Sequence, residues 1–354
     1  MKKIYIDPDN IDQSLIKEAV DTLSKGGIVA MPTETVYGLG ALADNLIAVE
    51  KLYAIKKRSK DKPFSLAIDS VGRAVRNYFD IFPPFGYRLI EKFWPGPLTI
   101  IYYTQDGKKI GIRVPAHAVA LEILKELRNA ICIPSANLSG DIEAVNASRV
   151  ENTFNGIIDL IVDSGECAYS QSSTVVDLTQ KPFKVLRAGV ISEEDIAKIF
   201  IKKRILFVCT GNSCRSPMAQ FMLEKYLRPE RLYFEDRYEI ISRGVSAFEN
   251  SMAAHNIVDI LKEKEDLDIL GFSSKRLDRY MVLSSDLIFT MEDAQSKYIL
   301  KFEPSVEGRL FNLKKFLPFS LEKDIPDPIG KSRAVYEEVY SLIKEAVLEL
   351  KDWV

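Results

Sequence analysis

Hydrophobic and polar positions change period repeatedly along this chain. Ile4 to Ile6 reads as a strand, and Leu15, Ile16, Ala19, Val20 and Leu23 then fall on one helix face. Asp12 is placed as the cap of that helix and Gly26-Gly27 as its stop. Ile28 to Met31 predicts a second strand, with Pro32 to Gly40 as the loop beyond it. A helix follows with Ile47, Leu52 and Ile55 on its inner side, then a basic run, Lys56-Lys57-Arg58-Ser59-Lys60-Asp61-Lys62-Pro63, and a strand from Phe64 to Ile68. Ser192-x-x-Asp195 opens a short helix through Ile196 and Ile199. Lys202-Lys203-Arg204 precedes an apolar run, Ile205 to Val208. Later, Glu239 to Ser242 and Asp286 to Met291 read as strands and Ala253 to Lys262 as a helix. A last helix starts near Ser332 and buries Tyr336, Val339, Tyr340, Ile343, Val347 and Leu350. Strands alternating with helices predict α/β architecture, and the second half predicts a parallel, flavodoxin-like sheet.

The 354 residues suit two domain cores. The expected boundaries are 1–198 and 203–354, with a short seam near 195–203 that lacks Gly/Ser-rich flexibility. A net charge of −2 gives no basic field for bulk nucleic-acid binding. Cys132, Cys167, Cys209 and Cys214 have no zinc spacing, and with only two histidines no metal site is expected. No apolar run approaches the ~20 residues of a membrane span. The start, Met1-Lys2-Lys3 leading to Asp7-Pro8-Asp9, lacks a signal-peptide core. The expectation is a cytoplasmic protein without a membrane partner.

The most informative stretch is Cys209-Thr210-Gly211-Asn212-Ser213-Cys214-Arg215-Ser216-Pro217, between the Ile205 strand and a helical pattern at Met218, Phe221, Met222, Lys225 and Tyr226. A tight loop there turns its N–H groups into a bowl, and the helix adds its positive end. A thiol at the bottom is favoured as thiolate, and Arg215 offers a planar fork to an oxyanion. A lone cysteine after a strand is more often a core residue. This ordered set of residue types is different. It resembles the signature loop of the low-molecular-weight protein phosphatases.

The resemblance implies Cys209 as nucleophile and Arg215 as phosphoryl clamp. Ser216 would hydrogen-bond the thiolate and Asn212 would fix a left-handed turn. Thr210, Gly211, Ser213 and Cys214 complete the phosphate loop. Asp327, in Asp324-Ile325-Pro326-Asp327-Pro328 before the last helix, would be the acid that protonates the leaving atom and then activates water. Asp286–Met291 takes the place of the family's fourth strand. Arg243-Gly244-Val245-Ser246 resembles the family's Ser-Ala-Gly-Thr, with Arg243 replacing a small residue. Cys214 either packs or pairs reversibly with Cys209. No cofactor is implied. No cysteine follows Cys214, which discounts arsenate reduction. Ser213 stands where tyrosine-specific members usually carry Ile or Leu, and no Tyr follows Asp327-Pro328. The loop looks closest to the bacterial protein-arginine phosphatases, which carry Thr at that position. A phosphoprotein is the implied substrate, phosphoarginine favoured over phosphotyrosine.

In the first half, Thr33 and Thr35 supply hydroxyls, and Lys56 and Arg58 of the basic run supply cations that could meet a triphosphate. Trp94-Pro95-Gly96-Pro97-Leu98-Thr99, Arg113-Val114-Pro115, Pro134 to Gly140, Ser172-Ser173-Thr174-Val175 and Leu186-Arg187-Ala188-Gly189 follow. In this order they resemble the YrdC-like domain of threonylcarbamoyl-AMP synthases over about residues 10–195. That implies an open twisted α/β sheet. It also implies a reaction of L-threonine, bicarbonate and ATP, with Mg2+ accompanying ATP, and an indirect link to tRNA adenosine-37 modification. Thr33 and Thr35 would face threonine, Lys56 and Arg58 the phosphates, and Arg113 the threonine carboxylate. Ser135 and Asn137 would meet the nucleotide, and Ser173 and Arg187 complete the site. Departures are Lys62-Pro63-Phe64 for Asn-Pro-Leu, no histidine near Ala67, and Ser172-Ser173-Thr174 for Glu-Ser-Thr. The alternative is a nucleotide- or RNA-binding regulatory module without synthase activity, fused to a phosphotyrosine phosphatase.

Overall fold

The computed structural model describes residues 1–138, 140–229, 233–317 and 324–354. It divides into two compact units, Met1–Phe82 with Arg88–Ala197, and Pro83–Tyr87 with Lys198–Val354.

Among the described residues, ten strands build the first unit: β1 Lys2–Tyr5, β2 Val29–Met31, β3 Gly38–Leu42, β4 Leu66–Ala67, β5 Leu98–Tyr103, β6 Lys109–Arg113, β7 Ile131–Cys132, β8 Leu160–Asp163, β9 Thr174–Asp177 and β10 Lys184–Arg187. They form one mixed sheet in the order β1-β8-β2-β3-β7-β4-β6-β5-β9-β10. Helix Gln13–Ser24 begins where expected, with the Asp12 carboxylate accepting from the Ser14 N–H. Its Ile16, Ala19 and Leu23 join Val119, Ile123 and Leu124 of helix Ala118–Leu127 over Val29, Met31, Leu160 and Val162.

The loop after β2 is shorter than Pro32–Gly40, because Gly38 already pairs with Met31. Helix Leu46–Lys56 buries Ala48, Leu52 and Lys56, while Ile47 is 83% exposed. The positions i, i+4 and i+8 face inward, and the basic end of the helix therefore enters the interior with them.

The second unit carries β11 Lys203–Cys209, β12 Tyr238–Gly244, β13 Leu287–Thr290 and β14 Leu310–Asn312. All pairs are parallel, in the order β12-β11-β13-β14. This is the flavodoxin-like sheet that the alternating pattern predicts. The strand at Leu287–Thr290 is the third in chain order, not the fourth, because β14 follows it. Along β11, Ile205, Phe207 and Cys209 face one core with Met218, Met222, Val339 and Ile343, while Leu206 and Val208 face another with Ile288 and Ile299. A parallel strand covered on both faces needs apolar residues at every position. Helix Arg333–Trp353 buries every residue that its periodicity marked, and Ala346 besides.

Glu265, at the end of helix His255–Glu265, is buried among cations. Lys225 Nζ lies 2.7 Å and Lys344 Nζ 2.8 Å from its carboxylate, and Tyr340 donates to it. Burial pushes its pKa up, but these hydrogen bonds outweigh burial and hold it at about 2, below an ordinary 4.5. The unfolded chain therefore takes up this proton first as pH falls. The contribution is complete above pH 4.5 and is lost on the way down to about 2. Glu265→Gln should destabilise this unit at pH 7 by about 3 kcal/mol, measured by denaturant unfolding. The gap to the parent protein should narrow at pH 3.

Candidate active sites

β11 ends at Cys209, and the chain then turns through Thr210–Cys214 into helix Arg215–Leu227. The loop sits at the carboxyl end of the first strand, where the order reverses between β12 and β13. Such switch points open a crevice for ligands. Asn212 takes a φ of 52°, the left-handed turn expected of it. Its N–H points at Cys209 Sγ at 3.2 Å. Its side chain is fully engaged: Nδ2 donates to Ser216 Oγ at 3.0 Å and Ser242 Oγ at 2.9 Å, and Oδ1 accepts from Lys275 N–H at 2.8 Å. Ser216 Oγ is 3.0 Å from Cys209 Sγ. The sulfur is thus flanked by a hydroxyl and a backbone N–H, both suited to a thiolate.

Arg215 is only 1% exposed. Its guanidinium donates to Glu292, to Asp327 and, at 2.9 Å, to the Ile325 carbonyl. The structure therefore brings Cys209, Arg215, Ser216 and Asp327 together across more than a hundred residues. Glu292 and Gln295 escaped the sequence reading. Gln295 donates to Thr210 Oγ1 at 3.2 Å, and the two residues form a capping box on helix Asp293–Phe302. The Glu-x-x-Gln spacing after a strand was a usable signal. Cys214 is buried as a free thiol, and burial pushes its pKa up. Ser213 is half-buried, with its carbonyl accepting from Ala254 N–H at 2.9 Å.

In the first unit, a cavity of about 700 Å³ is lined by Thr33, Thr35, Lys56, Arg58, Arg113, Ser135, Asn137, Ser173 and Arg187. These are all nine of the residues marked in that half. Ser139, in the same motif as Ser135 and Asn137, lies outside the described residues. Thr33 Oγ1 donates to the Val36 carbonyl at 2.7 Å and stands 2.9 Å from Thr35 Oγ1. Lys56 Nζ donates to Ser135 O at 2.7 Å, Asn137 Oδ1 at 3.0 Å and Asn137 O. Burial, helped by Arg58, lowers its pKa to about 8. Lys56 thus braces the Ser135–Asn137 loop. Arg187 donates to Ser173 Oγ at 2.9 Å and Ser173 O at 3.0 Å, and Ser173 Oγ lies 3.0 Å from Thr99 Oγ1. Burial lowers the Arg187 pKa.

Arg113 donates to Gly96 O at 3.1 Å and pairs with Glu34 at 2.6 Å. Glu34 is 5% exposed, and its other oxygen accepts from Ala116 N–H at 3.0 Å. Glu34 was missed because nothing local marks a carboxylate between two threonines as the partner of an arginine 79 residues away. Gly189 packs against the Ser172–Thr174 backbone so closely that a Cβ would lie 2.3 Å from Ser172 O.

Residues 21–189 match the Sua5/YciO/YrdC family, described as "Telomere recombination". The threonylcarbamoyl-AMP synthase of Pyrococcus abyssi is 34% identical over 230 residues, covering 62% of this chain and 67% of that protein. A putative threonylcarbamoyl-AMP synthase of Mycobacterium leprae is 33% identical over 202 residues, 54% of this chain and 90% of that one. The chain belongs to the threonylcarbamoyl-AMP synthase family. The structure of Pyrococcus abyssi Sua5 complexed with L-threonine has the same fold, with a TM-score of 0.54 at 22% identity, covering 88% of this chain and 99% of that one. Residues 204–354 match the low molecular weight phosphotyrosine protein phosphatases. A synthase domain is therefore fused to a phosphatase domain, and the chain is of a bifunctional kind.

In the phosphatase domain, Gly244 lies under the phosphate loop. A Cβ there would come within 2.7 Å of Thr210 O and 2.8 Å of Asn212 N. Both are backbone atoms, so relief means moving the loop. Gly244→Ala should lower phosphatase kcat/KM by about a hundredfold, with circular dichroism unchanged.

Proposed function

We propose that the first domain makes threonylcarbamoyl-AMP from L-threonine, bicarbonate and ATP, and that the second dephosphorylates phosphoproteins, with phosphoarginine favoured. The observation that carries the first part is one cavity gathering nine predicted residues from six separate stretches. Arg113, oriented by Glu34 and Gly96, would hold the threonine carboxylate beside Thr33 and Thr35. Arg58, Ser135, Asn137, Ser173 and Arg187 would meet the nucleotide, with Mg2+ arriving on its phosphates. The carbamate formed from threonine and bicarbonate would displace pyrophosphate from the α-phosphorus. The product would then serve tRNA modification through a separate transfer step.

In the second domain, Cys209 Sγ would attack phosphorus while the P–O or P–N bond to the leaving group breaks. Loop N–H groups and Arg215 would hold the oxygens as charge spreads over them. An incoming phosphoryl group would take the Arg215 N–H that now serves Asp327. That frees the carboxylate to take up a proton from solvent as the anionic substrate binds, to give that proton to the leaving atom, and then to take one from the water that cleaves phosphocysteine. Ser213 supports phosphoarginine, since a small hydroxyl at the mouth leaves room for a planar polar guanidinium. Ile329, after Asp327-Pro328, is 57% exposed and supplies no aromatic wall. The phosphotyrosine reading draws on the description of the matched phosphatase family.

Incubation of the full chain with ATP, L-threonine and bicarbonate should release pyrophosphate and yield threonylcarbamoyl-AMP, detected by mass spectrometry. ATP binding without pyrophosphate release would make the first domain a nucleotide-binding module instead.

On matched peptides, phosphoarginine should give the higher kcat/KM, and Ser213→Ile should shift preference toward phosphotyrosine. A parent enzyme preferring phosphotyrosine by about tenfold, or ~1.4 kcal/mol in transition-state binding, would sink the arginine reading.

A further inference from the structure

The cations of the synthase cavity are not equivalent. Lys56 is held by Ser135 and Asn137, Arg113 by Glu34 and Gly96, and Arg187 by Ser173. Arg58 closes a turn on itself: Nε donates to Lys62 O at 2.8 Å and Nη2 to Pro63 O at 3.2 Å. Its guanidinium lies 5.1 Å over the Phe64 ring, and that ring stacks on Tyr53 at 4.2 Å. Lys62 N–H in turn donates to Ser59 O at 3.2 Å. The backbone of residues 58–64 is thereby fixed against the cavity wall.

Lys62 lines that cavity, yet its side chain is exposed and makes no ion pair among the described residues. The neighbouring Lys60 is different, since it pairs with Glu50 at 2.6 Å. We propose that Lys62 is a phosphate-binding residue of this site, reaching from its fixed turn to the outer phosphates of a nucleoside triphosphate. A flexible ammonium suits that role, because it can follow a charged tail that is later released. The anchored cations position the parts of the ligand that stay. The same chemistry implies discrimination: a nucleoside monophosphate lacks the outer phosphates and gains nothing from Lys62, while free pyrophosphate would be held by it. This inference rests on the reading that the first domain takes ATP.

The test is calorimetric titration of the full chain with ATP and, separately, AMP. Lys62→Ala should weaken ATP binding about fivefold and leave AMP binding unchanged. Lys60→Ala should change neither. The ATP effect should shrink as salt is raised. ATP affinity unchanged in Lys62→Ala, equal losses for ATP and AMP, or an equal loss in Lys60→Ala would each overturn the assignment, whatever the turnover of the parent enzyme. Selective loss of ATP affinity in a protein that releases no pyrophosphate would uphold Lys62 while ending the synthase reading.

Discussion

A cation removed from water must find acceptors, and that requirement organises both domains. Arg215 is almost completely buried, which would be prohibitive alone. Two carboxylates and a carbonyl, from the ends of two other segments, close around it. The guanidinium thereby fixes where the Glu292 cap and the Asp327 loop must stand. Asp327, the proposed acid, is thus brought to the phosphate loop by charge as well as by topology. In the synthase domain Lys56 has the same part. Its buried ammonium gathers the carbonyls of Ser135 and Asn137 and gives their loop its shape.

The two sites use their buried charges differently. In the phosphatase loop the arginine partners are carboxylates, which a doubly charged phosphoryl group can replace. Around Lys56 and Arg187 the partners are mostly backbone carbonyls and hydroxyls, which stay when a ligand arrives. On the proposed mechanism, one site is a latch that exchanges partners, and the other is a rigid wall with a flexible cation at its edge. Glu34 sits between these cases. It orients Arg113 and offsets part of its charge, so the carboxylate proposed to bind there would meet a guanidinium already held in one plane.

The legible parts of the chain were those whose chemistry is contiguous. The Cys209–Pro217 loop could be read because strand, thiol, turn and arginine follow one another directly, so local geometry alone dictates the bowl. The apolar faces of helices Gln13–Ser24 and Arg333–Trp353 were legible for the same reason. Ile47 was misplaced because the helix it belongs to is apolar nearly all round, and only the interior lysine reveals which side faces in. Glu34, Glu292 and Ser242 were silent, since each owes its part to a partner brought near by the sheet. Gly244 and Gly189 were quoted as motif letters, but the backbone atoms pressing on them become visible only in three dimensions.

The alternation along β11 also limits how this loop can be altered or moved. Cys209 shares a face with Ile205 and Phe207 because their spacing is even, and Leu206 and Val208 occupy the opposite core. Adding or removing one residue in the strand would invert that parity. The thiol would then emerge on the wrong side of the sheet, away from the helix whose first turn completes the bowl. A graft of the nine-residue loop onto another parallel sheet therefore has to carry the phase of its strand with it. Parity, more than the loop's own letters, determines which face the thiol leaves from.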